Sequence, residues 1–487
     1  MTDSLTREST TTSVVLLATT PACRLSCADG TLLDRLNGQL AELSVLDVQV
    51  VSPADGLGGL STDLRGVAKL ARAVPGTLVV LPADLVTHTE ALSLLLEHPK
   101  RDTSALVSYD AMAAPMRPPV RVEGGKIVAA GSSFHLVPEA NATFRGVLQA
   151  SQADLSALAD VAEELADLAE TGKLGPVTTV EAVDLLLVGL VRSGVKVRAT
   201  GIGQLHCDRV TGQVSADTAV SRLADVDESQ VRLDTSVKAE DGFVSTYLVS
   251  SWTRHLIRPA ARLKLTPNAV TGISIGLAVL SAVWFGAGNR GAQLAGAGLL
   301  YLSFACDCLD GQLARYTRAF TPLGAWLDSM ADRLKEYVVY VGLAFGYAAG
   351  LPLSEGGPDG IWYLAVAAMI LQTVRHSINY SFAAGVADAS RAGALGAKPV
   401  SSLLNSAEGE HHGAPKPGVL RLAHRMEREK VLRWMKKAIV LPIGERMALI
   451  AITAGVYNAR VTFVALLGWG GVATLYLLVG RIARTAR

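Results

Sequence analysis

The pattern of hydrophobic and polar positions changes character near residue 240. Upstream, short Val- and Leu-rich runs alternate with amphipathic stretches; beyond residue 267, long apolar runs dominate. Ser13–Ala18, Val45–Ser52, Thr77–Leu81 and Ala105–Tyr109 read as strands, and Leu32–Leu43 and Ala91–Leu96 as helices between them. That alternation predicts a mostly parallel sheet covered by helices. A hairpin is expected at Glu123-Gly124-Gly125-Lys126, helices at Leu155–Glu170 and Val180–Arg192, and a strand at Val195–Thr200. The expectation for residues 12–235 is a soluble α/β domain, preceded by a disordered N-terminus over 1–11.

About 20 residues cross the hydrocarbon of a bilayer. Six segments beyond Asn268 reach or approach that length: 268–288, 291–314, 322–349, 359–385, 443–459 and 460–480. Residues 268–487 therefore read as an all-α polytopic membrane domain of six transmembrane helices. The junction 236–267 contains LVSSWTRHLIRPAARLKL, whose apolar Leu248, Trp252, Leu256 and Ile257 and basic Arg254, Arg258, Arg262 and Lys264 predict an interfacial amphipathic helix. An amphipathic helix packed on the soluble domain is the alternative. Basic residues set orientation. One side holds this junction, Arg315, Arg318, the loop 386–442 and the tail Arg481, Arg484 and Arg487, whereas the other shows Arg290 and Arg460. The chain is thus expected to be integral to a bacterial-type plasma membrane, with both termini cytoplasmic. The second half of the long cytoplasmic loop 386–442 is basic and helical in pattern, suited to an anionic leaflet or to the soluble domain.

Composition refines this picture in two places. A net charge of +1 over 487 residues, without a basic cluster interleaved with aromatics, argues against a nucleic-acid partner. The five cysteines, Cys23, Cys27, Cys207, Cys306 and Cys308, are odd in number and follow no disulfide framework, which suits a reducing compartment. The N-terminus has no apolar run after a basic stretch, so no cleaved signal peptide is expected.

Candidate chemistry concentrates between Cys306 and Asp332. Asp307 and Asp310 lie three apart, Asp328 and Asp332 four apart, and both spacings put a pair on one helix face. Carboxylates gathered in an apolar setting repel and lose hydration, so they call for a cation. Oxygen ligands without His or Cys at ligand spacing favour Mg²⁺ or Mn²⁺ over Zn²⁺. Small residues punctuate the run: Asp307-x2-Asp310-Gly311-x2-Ala314-Arg315-x8-Gly324-x3-Asp328-x3-Asp332. At all eight fixed positions this resembles the motif of the CDP-alcohol phosphotransferase family, membrane enzymes that displace CMP from a CDP-alcohol with a second alcohol. The resemblance implies that Asp307, Asp310 and Asp328 hold one or two Mg²⁺ ions, and that Asp332 shares a metal or takes the acceptor proton, making Asp328 and Asp332 the catalytic pair. It also implies space for the CDP-alcohol at Gly311, Ala314 and Gly324, a phosphate or acid partner for Arg315, and a homodimer; the distribution of basic residues puts the four aspartates, and so the active site, at the cytoplasmic face. Asn268 and Thr271 either line the nucleotide pocket or, for Asn268, cap the first membrane helix.

Residues 12–235 resemble the nucleotidyltransferase fold, in which the first strand runs into a glycine-rich phosphate loop. Here that run is Leu17-Ala18-Thr19-Thr20-Pro21-Ala22-Cys23-Arg24-Leu25. Arg24 matches, and Asp84 and Asp208 fall where the family places metal-binding acids, but Thr, Pro, Ala and Cys replace the glycines. Side chains crowd the backbone amides there and Pro offers no N–H, so a degenerate domain is expected. The junction Asp241-Gly242-Phe243-Val244-Ser245-Thr246-Tyr247 with Thr266-Pro267-Asn268 resembles that of fusions between inositol-1-phosphate cytidylyltransferases and di-inositol phosphate phosphate synthases. Such a fusion implies a bifunctional enzyme as the first alternative. A non-catalytic, membrane-anchored nucleotide sensor is the second.

Arginines inside apolar segments are expensive unless paired or facing water. Arg375 and Arg446 are such residues; snorkelling or pairing with Glu445 is the ordinary reading, and the expectation here is that Arg446, with Arg375 or the pair Lys436 and Lys437, binds the phosphate of an acceptor. The expectation is a phosphorylated polyol as acceptor, because arginine grips phosphate through two parallel hydrogen bonds.

Overall fold

The computed structural model describes residues 12–27, 30–52, 59–98, 100–110, 116–133, 135–237, 242–349, 359–395 and 439–485. The chain forms two compact units, one through Arg232 and the other from Leu233. The expectations for residues 1–11, for most of loop 386–442 and for Lys436 and Lys437 lie outside the described residues.

In the first unit, strands β1 (Thr12–Leu17), β2 (Ser26–Cys27), β3 (Gly30–Thr31), β4 (Asp47–Val51), β5 (Thr77–Pro82), β6 (Leu85–Thr87), β7 (Ser104–Ser108), β8 (Pro119–Glu123), β9 (Lys126–Ala130), β10 (Ala142–Ala150), β11 (Arg198–Gly201) and β12 (Cys207–Arg209) alternate with helices. The helices are α1 (Leu32–Ala41), α2 (Leu60–Ala73), α3 (Thr89–Leu96), α4 (Leu155–Glu170), α5 (Ala182–Arg192), α6 (Gln213–Leu223) and α7 (Glu228–Ser236), the last extending across the unit boundary. Eight strands form one sheet in the order β4-β1-β5-β10-β7-β11-β9-β8. Its two faces bury separate apolar clusters, one under α2, α4 and α5 and the other under α1 and α3. The expected parallel pairings exist between β1 and both β4 and β5, and between β7 and β11. The sheet is nevertheless mixed, because β10 runs antiparallel between β5 and β7. This strand escapes a periodicity reading because all nine residues are buried, leaving no alternation, and Arg145 and Gly146 interrupt it. Gly146 sits at φ +80° where the register shifts, a conformation that a side chain would strain.

The second unit is helical. It comprises a wide turn at Val244–Val249, then α8 (Ser250–Arg262), α9 (Pro267–Gly286), α10 (Arg290–Thr317), α11 (Pro322–Ala349), α12 (Asp359–Leu395), α13 (Ile443–Val456) and α14 (Ala459–Thr485). Among the described residues four helices are long and apolar enough to cross a membrane: Pro267–Gly286, Arg290–Thr317, Gly360–Phe382 and Ala459–Ile482. Helix α11 carries too many charges for that measure and α13, with 14 residues, is short for a span. Helix α12 runs on to Leu395, past the boundary expected at 385. The amphipathic α8 buries Ile257 and Ala260 against Leu309 and Leu313 of α10, and Thr253 Oγ1 donates to Gln312 Oε1 at 3.0 Å. Its partner is therefore the helical unit's own α10, while Leu248 and Leu256 stay exposed.

Helices α9, α10 and α11 approach through small residues. Ser281 Oγ donates to the Gly296 carbonyl at 2.7 Å, and Ser303 Oγ to the Ser274 carbonyl at 2.7 Å, tying α9 to α10. Such hydrogen bonds and close backbones replace the hydrophobic drive that is missing between helices in lipid.

Candidate active site

Three helix faces converge at the acidic motif. Asp307 and Asp310 come from α10, Asp328 and Asp332 from α11, and Asn268 and Thr271 from the first turn of α9. Helix α9 starts where it does because Pro267 takes the first helical position and Thr266 Oγ1 accepts from Ala269 N at 3.2 Å. Thr266, rather than Asn268, is the capping residue. Thr271 Oγ1, one turn in, donates to Asp310 Oδ2 at 2.6 Å and orients that buried carboxylate. Asn268 Oδ1 lies 3.0 Å from where a Cβ at Gly324 would stand, and Thr321 Oγ1 lies 2.9 Å from it. Glycine is thus the residue that lets α9 and the start of α11 meet.

Asp307, Asp310 and Asp328 each offer a carboxylate oxygen, and these oxygens lie within 4.8 Å of one another. Asp310 is buried and Asp328 exposed, so the cluster runs from the helix interior to an open rim. Three oxygen donors at this spacing, with Gly311 alongside adding no side chain, fit a divalent cation that prefers oxygen ligands. Arg315 reaches back past Gly311, its guanidinium 3.5 Å from where a Cβ would stand, and its Nε donates to the Ser236 carbonyl. Ala314 is half-buried on the same helix.

Asp332 stands outside that group of three. It faces Lys335, a residue the sequence reading passed over although it lies on the same helix three positions on. Lys335 is 2% exposed; its Nζ donates to Asp307 Oδ1, lies 3.2 Å from Asp332 Oδ1 and donates to Ser274 Oγ at 3.3 Å. Glu336, also passed over, is fully buried four positions beyond Asp332. Arg446 Nε and Nη2 both donate to Glu336 Oε1, at 2.9 and 2.6 Å, and Nη1 donates to the Leu441 carbonyl at 3.1 Å. The expected partner Glu445 instead accepts from Phe243 N at 2.6 Å. Arg375 donates through Nη2 to the Val440 and Leu441 carbonyls, while its buried Nη1 has no hydrogen-bond partner among the described residues. Neither arginine snorkels, since each is only 5–6% exposed.

In the first unit, Asp84 and Asp208 are both engaged by arginines. Arg209 grips Asp84 with two parallel bonds, Nε to Oδ1 and Nη2 to Oδ2, each 2.9 Å, and Thr20 Oγ1 adds a third at 3.0 Å. Arg117 Nη2 and Arg145 Nη1 both donate to Asp208 Oδ1 at 2.7 Å. Asp184, 4.0 Å from Arg209 Nη1, has its carboxyl pushed up to about 7 by burial, which Arg209 only partly counters. Arg24 is exposed at the end of the short turn Pro21–Arg24, after Ala22 and the buried Cys23. The carboxylates expected to hold a metal are thereby paired with guanidinium groups from β10, β12 and the loop before β8, Asp84 through both oxygens and Asp208 through Oδ1.

Residues 264–404 match the CDP-alcohol phosphatidyltransferase family. Over 166 residues, 33% of this chain and 35% of the relative, the sequence is 32% identical to the bifunctional IPC transferase and DIPP synthase of Aquifex aeolicus. It is 34% identical over 110 residues, 22% of this chain and 46% of the relative, to the phosphatidylinositol phosphate synthase of Mycobacterium marinum. These matches span less than half of either relative. Among solved structures, the inositol-1-phosphate CTP transferase from T. maritima aligns with 44% of this chain and 96% of its own, at 14% identity and a TM-score of 0.32.

Proposed function

We propose that this chain, whose C-terminal part carries a CDP-alcohol phosphatidyltransferase domain, is an integral membrane phosphotransferase that moves a substituted phosphate from a CDP-alcohol to an acceptor alcohol and releases CMP. The observation that carries this reading is the meeting of Asp307, Asp310 and Asp328 within 4.8 Å. A bound Mg²⁺ or Mn²⁺ would supply charge neutralisation for the diphosphate and for the departing CMP. Asp307, Asp310 and Asp328 hold that ion, Thr271 fixes Asp310, and Gly311, Ala314 and Gly324 leave room for the CDP-alcohol beside Asn268 and Arg315. Asp332 takes the proton from the acceptor hydroxyl as its oxygen bonds to the phosphorus and the bond to CMP breaks. Six spanning helices, a cytoplasmic site, cytoplasmic termini and a homodimer complete the proposal.

The acceptor is a phosphorylated polyol such as an inositol phosphate, with the Nη1 of Arg375, unpartnered among the described residues, as first contact and Lys436 and Lys437 in support. Arg446, expected to bind that phosphate, is instead charge-paired with Glu336 and keeps the Leu441 carbonyl in place. In proteoliposomes supplied with CDP-diacylglycerol and inositol phosphate, Arg375→Met should raise the acceptor KM about 10- to 100-fold, the ~1.5–3 kcal/mol of a charge-assisted hydrogen bond. The KM for the CDP-alcohol should change little. Equal loss for both substrates, or faster reaction with unphosphorylated inositol, would remove the phosphate from the proposal.

The name of the Aquifex relative favours a second reading, in which the first unit makes the CDP-alcohol that the second consumes. The arginines on Asp84 and Asp208 count against it, because binding a metal–nucleotide there means breaking ion pairs buried at Asp84 and nearly so at Asp208. The full chain given CTP and inositol 1-phosphate should release no pyrophosphate above a no-enzyme control. Release that is lost in Asp84→Asn would establish the bifunctional reading.

A further inference from the structure

The four acids of the motif do not form one even cluster. Asp307, Asp310 and Asp328 form one group, whereas Asp332 is turned toward Lys335, which also contacts Asp307. A second ion shared between Asp307 and Asp332 would have to occupy the space that the ammonium fills. Lys335 is poorly placed to leave. It is 2% exposed, and Ser274 Oγ of α9 backs it at 3.3 Å. An ammonium stripped of water persists where carboxylates surround it, and removing it would leave two acids facing each other uncompensated.

We propose that Lys335 is a built-in cation of this site: it takes the position between Asp307 and Asp332, limits the motif to one divalent ion on Asp307, Asp310 and Asp328, and positions the Asp332 carboxylate beside that ion. The inference rests on the metal-dependent reading above and specifies how many ions the chain's own residues admit. Lys335 is a positioning residue, since it touches the acids rather than substrate.

The test is manganese stoichiometry, read from free Mn²⁺ by electron paramagnetic resonance on the full chain in nanodiscs without substrate. The wild-type chain should bind one Mn²⁺ and show no spin-coupled pair at saturation. Lys335→Met and Lys335→Gln should each bind two, the second preserving hydrogen bonding without the charge, while Lys335→Arg should stay at one. Two ions on the wild-type chain, or one on a folded Lys335→Gln chain, would overturn the role of Lys335 and leave the metal site standing. No bound manganese on the wild-type chain would overturn both. If neither neutral variant folds, the wild-type chain decides: a spin-coupled manganese pair refutes the proposal, and a single uncoupled ion supports it.

Discussion

Asp328→Asn should lower CMP release by about 10³-fold or more while leaving the protein folded. The carboxylate is exposed, so the substitution creates no buried unpaired group, and exposed changes of this kind stay within about 0.5 kcal/mol in stability. Its effect on the reaction has a different origin. Removing one of three charged ligands weakens an electrostatic contribution worth several kcal/mol at the transition state. A loss of ~4 kcal/mol corresponds to three factors of ten in rate. Asp307→Asn is a less clean test because it also takes from buried Lys335 its nearest counter-charge. Chelation of the wild-type chain should reproduce the Asp328→Asn loss, and added Mg²⁺ or Mn²⁺ should reverse the chelation. Turnover within tenfold of wild type in either case would remove the acidic cluster from the chemistry.

The second large effect is expected from one methyl group far from the acids. A Cβ on Gly346 would overlap the backbone carbonyl of Phe285, and one on Gly342 would overlap that of Ala282. Neither obstacle is a side chain that can swing away, so α11 would have to retreat from α9 along this seam. Overpacking of this kind costs about 1–3 kcal/mol even where side chains can yield, and more where backbone must move. Gly276→Ala is the matched control: it lies on α9 with no described residue within 4 Å of its Cβ, and alanine favours a helix by ~0.5–1 kcal/mol. Gly346→Ala should therefore lower the melting temperature in detergent by several degrees or more and reduce the monodisperse fraction. Gly276→Ala should be neutral or mildly stabilising. Activity should fall with Gly346→Ala too, since the packing of α9 on α11 brings Asn268 to Gly324 and sets the helix that carries Asp328 and Asp332. Equal melting curves for the two variants would mean that the seam does not hold the helices.

The features legible in advance share a physical basis: each is set by neighbours a few residues away. The i, i+3 spacing of Asp307 and Asp310 and the i, i+4 spacing of Asp328 and Asp332 assign helix faces because 3.6 residues make a turn. The apolar runs of α9, α10, α12 and α14 identify themselves by length and hydropathy, and the βα alternation of the first unit by its change of period. Strand β10 was hidden for the converse reason, because burial on both faces erases the alternation that marks a strand.

The ion pairs between distant segments belong to tertiary structure alone. Arg446 and Glu336 are 110 positions apart, Arg209 and Asp84 are 125 apart, and nothing in the local pattern of either partner announces the other. Glu445, adjacent to Arg446, looks the natural partner in sequence, but it serves the amide of Phe243. Lys335 is the sharpest case. Its spacing from Asp332 was visible, yet only the packing of α10 and α9 against α11 brings Asp307 and Ser274 to the same ammonium. A helix face dictates which charges are presented; what they meet depends on which backbone comes close, and here glycines at 324, 342 and 346 decide that approach.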